Sequence, residues 1–281
     1  MTIIEAIILG LLQGLSEFIP ISSTAHMTIG GKLMDLIDPN NPEAWTAFMA
    51  VVQLGTLAAV FIYFAADIKN VPLAFIKENF RKSRNPIKKQ SENSRMGWLI
   101  IISSVPVVIV GLLLKDIIEG SLTKDLYVIS ASLIILGIIM YIADKTANLK
   151  KETSQITIKD SILIGLAQCL ALVPGASRSG TTITAGLFLG LEREAAARFS
   201  FLMSIPAIFG SGIMQFYQAY PKLNSDEFVT LSVATLVAGI SGYASIAFLL
   251  KFLRERTTLL FSSYRVILGI LLILLTVYNI I

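Results

Sequence analysis

Six long stretches of the chain contain no Asp, Glu, Lys or Arg: residues 44–66, 96–114, 126–143, 199–221, 228–250 and 266–281. A helix needs roughly 20 mostly apolar residues to cross a bilayer's hydrocarbon core, and about 17 suffice where the bilayer is thin. No water reaches that core, so each backbone N–H and C=O must pair within the segment, which selects helices. Barrel strands of about ten alternating residues would show far more polar interruptions. The composition agrees: 54% hydrophobic and 15% charged, whereas a soluble domain has about a quarter charged residues. The expected fold is all-α, a polytopic integral membrane helical bundle forming a single membrane domain over 1–281.

The charges set an orientation. Basic residues concentrate in 67–95, 144–160 and 251–265, while the other connections are poor in Lys and Arg. The positive-inside rule puts those three basic loops in the cytoplasm, which leaves Glu43 and the C-terminus outside and Asp160 inside. The net charge of +4 merely edges apolar segments, so no nucleic-acid partner is expected. Lone Cys169 permits no internal disulfide and no metal-type cysteine spacing. The N-terminus lacks the basic region and cleavage site of a removed leader. Trp45 and Trp98 are expected in interfacial belts, and residues 192–194 with Arg198 in a solvated loop.

Two further apolar stretches, 1–32 and 161–198, are broken halfway by Pro and polar clusters. The chain leaves Asp160 inside and must be inside again before Phe199, so 161–198 dips in and returns. Such backbone is tolerated only where protein or a water-filled cavity surrounds it. Residues 7–15 and 162–170 match at Ile7/Ile162, Gly10/Gly165, Leu11/Leu166, Gln13/Gln168 and Leu15/Leu170, and Pro20-x-x-Ser23 matches Pro174-x-x-Ser177. The sequence therefore reads as two repeats, 1–143 and 161–281. Each is a re-entrant hairpin (1–43 and 161–198) followed by three spans, six spans in all. Three is odd, so the repeats have inverted topology, an arrangement that points to a site near the midplane.

The first cluster runs from Gln13 through Glu17, Pro20, Ser22, Ser23 and Thr24 to His26, the chain's one histidine. Gln13 and Glu17 are four apart, on one helical face, and Pro20 ends that helix. The hydroxyls suit the next helix start, capping free N–H groups. An acid in apolar surroundings is by default functional. The second cluster, residues 174–182, places Arg178 among Ser177, Ser179, Gly180, Thr181 and Thr182. Pro and Gly break the helix, and a helix start offers positive partial charge and N–H donors to an anion. Arg grips phosphate with two parallel bonds. The plainer readings are capping hydroxyls, a buried Glu17–Arg178 ion pair, a hydrogen-bonded His26 and a packing Cys169.

At these residues the chain closely resembles the bacitracin-resistance family of undecaprenyl-diphosphate phosphatases. The motifs stand here as Gln13-x-x-x-Glu17, then Pro20-Ile-Ser22-Ser23-Thr24-Ala25-His26, then Pro174-Gly-Ala-Ser177-Arg178-Ser179-Gly-Thr-Thr182. Gln13 stands where the family often has Glu, which argues against a metal held by paired carboxylates. Ala25 stands where Gly is common. The resemblance implies hydrolysis of undecaprenyl diphosphate to the monophosphate and phosphate. That reaction recycles the lipid carrier of bacterial cell-wall synthesis and confers bacitracin resistance. It also implies the plasma membrane, with the site opening to the outer face.

On this reading Arg178 and the donors of Ser177, Ser179, Gly180 and Thr182 hold the diphosphate, with Gln13, Ser22 and Thr24 as further substrate-binding candidates. Ser23 is the expected nucleophile, giving a phosphoserine, and His26, three residues on, its proton acceptor. Direct attack by water is the rival route. Glu17 orients Ser23 or His26, or touches a divalent cation, Mg²⁺ or Ca²⁺, carried on the substrate phosphates. Membrane lipids and a second copy of the chain are the other expected partners. An isoprenoid-lipid transporter or flippase is the alternative, since inverted repeats with broken helices suit transport. An anion channel would need a ring of like residues that is absent from the sequence.

Overall fold

The computed structural model describes residues 1–80 and 85–278. Among them, six helices are long and apolar enough to cross a membrane. They are α3 (Pro42–Tyr63), α5 (Glu92–Leu113), α7 (Leu126–Thr146), α10 (Arg193–Ala219), α11 (Ser225–Glu255) and α12 (Leu259–Val277). Their outward faces carry exposed Ile62, Leu113, Ile138, Leu236, Ile240 and Ile267, suited to lipid rather than water. This is an all-α, multi-pass membrane bundle.

Four shorter helices form the two broken hairpins. α1 (Ile3–Phe18) turns into α2 (Ser23–Leu33), and α8 (Ile158–Cys169) turns into α9 (Arg178–Phe188). At 11 to 16 residues each is shorter than the roughly 20 needed to span, so each pairs with its neighbour instead. The hairpins repeat one local chemistry. Thr2 with Glu5 makes a capping box at the start of α1, and Thr157 with Asp160 makes one at the start of α8. Gly10 lies against the Ala234 carbonyl of α11, and its counterpart Gly165 against Ser103 of α5, where any Cβ would collide with backbone.

Several segments differ from the sequence expectation. The first part of the first basic loop, up to Asn79, is a helix, α4 (Ala65–Asn79). Ile68, Val71 and Phe75 recur at helical spacing, and the helix packs back on α5, where Phe75 meets Trp98 edge-on with ring centroids 5.0 Å apart. Arg81, Lys82 and Arg84 of that loop lie outside the described residues, as do 279–281 of the last expected span. Residues 193–198 are the first turns of α10, not a solvated loop: Arg198 bonds Asp67 at 2.6 Å and Arg193 bonds Asp144 at 2.5 Å. Trp45 is buried against Gly31 rather than standing in a belt.

The third basic loop is also far shorter than expected. α11 continues to Glu255 and α12 begins at Leu259, leaving a link of three residues. Asp144 stabilises it by accepting from Thr258 N at 2.5 Å and Thr258 Oγ1 at 2.8 Å. Arg265 therefore belongs to α12 and is fully buried.

Candidate active site

Both hairpins break in the same way. Pro20 lies just past the end of α1 and Pro174 just past a 3-10 turn (Leu170–Leu172) that follows α8, and the chain restarts at Ser22 and Ser177, with φ of 77° and 67°. Such backbone costs a non-glycine residue on the order of 1–3 kcal/mol and clusters at functional sites. Each serine caps the helix it precedes: Ser22 Oγ accepts from Ala25 N at 3.3 Å, and Ser177 Oγ from Gly180 N at 3.1 Å. The next residue is the first of its helix. In α2 it is Ser23, in α9 Arg178.

The two bends meet. Arg178 donates to Glu17 Oε1. The other Glu17 oxygen accepts from Gln13 Nε2 and from Ser23 Oγ, each at 2.7 Å. Glu17 is thus held between its own helix, the start of α2 and the opposite hairpin, and its side chain is 3% exposed. These residues form one end of a cavity of about 460 Å³, whose wall also includes Thr24, Gln168 and Ser177. At the other end stand Lys115, Glu119, Thr123 and Gln215, from α6 (Lys115–Glu119), the turn after it and α10. There Glu119 accepts from Gln215 Nε2 at 2.6 Å and pairs with Lys115 at 3.8 Å.

Other expected site residues stand off this cavity. His26 is not on its wall: its Nδ1 bonds the Ser22 carbonyl and its Nε2 bonds Tyr264 Oη, each at 2.7 Å. A carbonyl only accepts, so Nδ1 carries a proton and donates it, and in the neutral ring Nε2 accepts from the tyrosine. The expected Ser23–His26 contact is thereby replaced by Ser23–Glu17. Ser22 is spent as a cap. Ser179 Oγ lies 3.2 Å from Ser177 Oγ and 3.4 Å from the Glu17 carbonyl. Thr182, one turn into α9, donates back to the Arg178 carbonyl at 2.7 Å and meets Ser200 Oγ at 2.6 Å. Only a helix's first turn has free N–H groups, and at Gly180 Ser177 already takes that N–H.

Arg265 closes the third basic run of the sequence, yet it lies within α12 and is fully buried. Its Nη2 donates to Ala176 O at 2.9 Å, Gly175 O at 3.2 Å and Ser132 O at 3.4 Å, while Nη1 reaches Pro20 O at 3.5 Å. Carbonyls freed at helix breaks need donors when water is excluded, and one guanidinium serves both bends. Gly180 lies against it, and a Cβ there would overlap Nη1. That contact accounts for the glycine.

The donor set bears on a metal. Among the described residues no three of His, Cys, Asp or Glu gather around one point, and Glu17 is already bonded to three side chains. The site suits an ion that keeps its waters and phosphate ligands and touches one carboxylate better than an ion caged by protein.

The family described as bacitracin resistance protein BacA matches residues 6–271. An undecaprenyl-diphosphatase of Syntrophobacter fumaroxidans is 53% identical over 270 residues, covering 96% of this chain and 95% of the relative. One from Chlorobium phaeobacteroides is 50% identical, covering 96% and 95%, and one from Chloroherpeton thalassium 48%, covering 97% and 96%. With the match running from the first turns of α1 through both bends and into α12, the chain belongs to the bacitracin resistance protein BacA family.

Proposed function

We propose that this chain hydrolyses undecaprenyl diphosphate to undecaprenyl phosphate and phosphate, recycling the lipid carrier of the cell wall and conferring bacitracin resistance. The observation that carries the reading is the Gln13–Glu17–Ser23 chain of hydrogen bonds lying against Arg178 on a shared cavity wall. Phosphoryl transfer needs positioning and charge neutralisation above all. Arg178, with Ser177 and Thr24 nearby, binds the diphosphate oxygens. Ser23 Oγ attacks the terminal phosphorus as Glu17 takes its proton, so the phosphoserine forms as the P–O bond to the lipid monophosphate breaks. Glu17 passes that proton to the departing lipid phosphate, and the freed carboxylate then deprotonates a water that breaks the Ser23–phosphorus bond and releases phosphate.

His26 acts at one remove, holding the Ser22 carbonyl and so the strained turn before Ser23. A divalent cation, Mg²⁺ or Ca²⁺, would neutralise phosphate charge when bound on the substrate beside Glu17. The cavity's far end is built from the Lys-poor connection before α7, which the charge distribution puts outside, in support of an outward opening. The repeats 1–143 and 161–281 would then bring their hairpins together as mirrored halves of one site.

The test is phosphate release from a polyprenyl diphosphate by purified protein in detergent micelles, with and without chelator. Micelles have no sides, so a flippase acting by transport alone releases nothing. Quenching with labelled substrate should trap phosphoserine at Ser23; a persistent absence of label, with Ser23→Ala retaining substantial rate, would favour direct attack by water.

A further inference from the structure

Gln13 and Gln168 occupy matching turns of α1 and α8, both are buried, and both belong to the cavity wall. Their surroundings differ in one respect. The residue one turn beyond Gln13 is Glu17, which accepts its amide proton at 2.7 Å. The residue one turn beyond Gln168 is Leu172, and neither Nε2 nor Oε1 of Gln168 has a hydrogen-bond partner, although the residue is 0% exposed.

An amide buried without partners bears the full cost of its desolvation, and native proteins hold few such groups. Leu or Met would fill the same space without that cost. What an amide adds is a neutral donor for an anion in the cavity. α8 ends one bend before α9, so Gln168 and Arg178 flank the same break and edge the same cavity. We infer that Gln168 is a phosphate-binding residue, its Nε2 donating to a non-bridging oxygen of the group that Arg178 holds.

This inference rests on the proposed function and extends it. Hairpin one activates the nucleophile, because its glutamine and acid bond each other. Hairpin two binds the electrophile, because its glutamine has no acid and pairs with substrate instead. The phosphate oxygen belongs either to the lipid-borne diphosphate or to the orthophosphate released.

The experiment compares wild type with Gln168→Leu, Gln168→Met and Gln168→Glu. It measures kcat and KM for a polyprenyl diphosphate, inhibition by orthophosphate, and the Tm with and without inorganic pyrophosphate. Leu and Met should raise KM about tenfold or more, for loss of one donor to a charged oxygen, while leaving Tm unchanged or higher. Glu should be worse than either, since it sets like charge against the phosphate. Weakened orthophosphate inhibition in the variants assigns the contact to the orthophosphate released; unchanged inhibition assigns it to the lipid-borne diphosphate. Wild-type KM and kcat in both apolar variants overturn the inference, and so does a Tm that falls in step with activity. If wild type releases no phosphate, the functional proposal fails instead. The pyrophosphate-induced rise in Tm, lost or kept in the variants, then decides the binding role alone.

Discussion

Ser23 Oγ donates to Glu17 Oε2 at 2.7 Å across the first bend, so the alcohol and the acid come from opposite arms of one hairpin. General-base assistance contributes typically about 10²–10⁴ in rate. Glu17→Gln keeps the shape and can still meet Ser23, but it takes no proton. Its kcat should fall by about three orders of magnitude, with KM changed far less. Ser23→Ala should fall as far, and the double variant no further, because the two act as a unit. Steady-state phosphate release on the three proteins checks this; additive losses would separate the residues.

Arg178 stands at the first position of α9 as Ser23 stands at the first of α2, and its guanidinium meets Glu17. Removing one partner of a buried pair costs about 3–5 kcal/mol, so Arg178→Ala should lose both stability and activity. Arg178→Lys separates the effects. It keeps the charge opposite Glu17 but loses the fork that grips phosphate through two bonds. Its Tm should stay close to that of wild type while kcat/KM drops by about 100-fold. Cys169→Ala, a half-buried thiol near Gly165, should change neither.

Arg265 donates to carbonyls of both bends, and Gly180 gives it room. Arg265→Met should therefore lower kcat by about 100-fold or more, since Ser23 and Arg178 lose their common tether. Gly180→Ala keeps the arginine but displaces its flexible end, and should reproduce part of the loss with a smaller drop in Tm. Because the added methyl acts through Arg265, the double variant should be no slower than Arg265→Met alone. Simple additivity would instead assign Gly180 a role of its own.

What the sequence disclosed, and what it hid, divides along physical lines. Runs without charge are a property of consecutive residues, so the spans were legible, and so were the bends, marked by Pro20 and Pro174. The partners of individual side chains were not. His26 lies three residues from Ser23, but whether its ring turns to Ser23 or to Tyr264 depends on α12, some 240 residues away. Thr182 lies within its motif yet bonds Ser200. Arg265 resembled a loop cation because counting charges beside apolar runs cannot tell a buried guanidinium from a solvated one. α4 was hidden by its lysines, although Ile68, Val71 and Phe75 carried a helical period.

Lys124, bonded to Thr46 and Glu119 of the cavity wall, offers a test by pH. Its Nζ donates to Thr46 Oγ1 at 2.5 Å and to the carbonyls of Glu119 and Gly120, each at 2.8 Å. Burial pushes the ammonium down to about 8, and the charges of Glu119 and Glu43 oppose this in part. The unfolded chain keeps its proton until about 10.4. Between those values the unfolded state binds more protons than the folded one, so stability rises with pH across that window. Below it, both states carry the charge and the fold bears the full cost of burying it. Wild-type Tm in detergent micelles should accordingly gain, relative to Lys124→Met, as the pH goes from 8 to 10. Lys124→Met, with no proton to lose, lacks this contribution. Parallel curves for the two proteins would mean that Lys124 titrates in the folded state as it does in water.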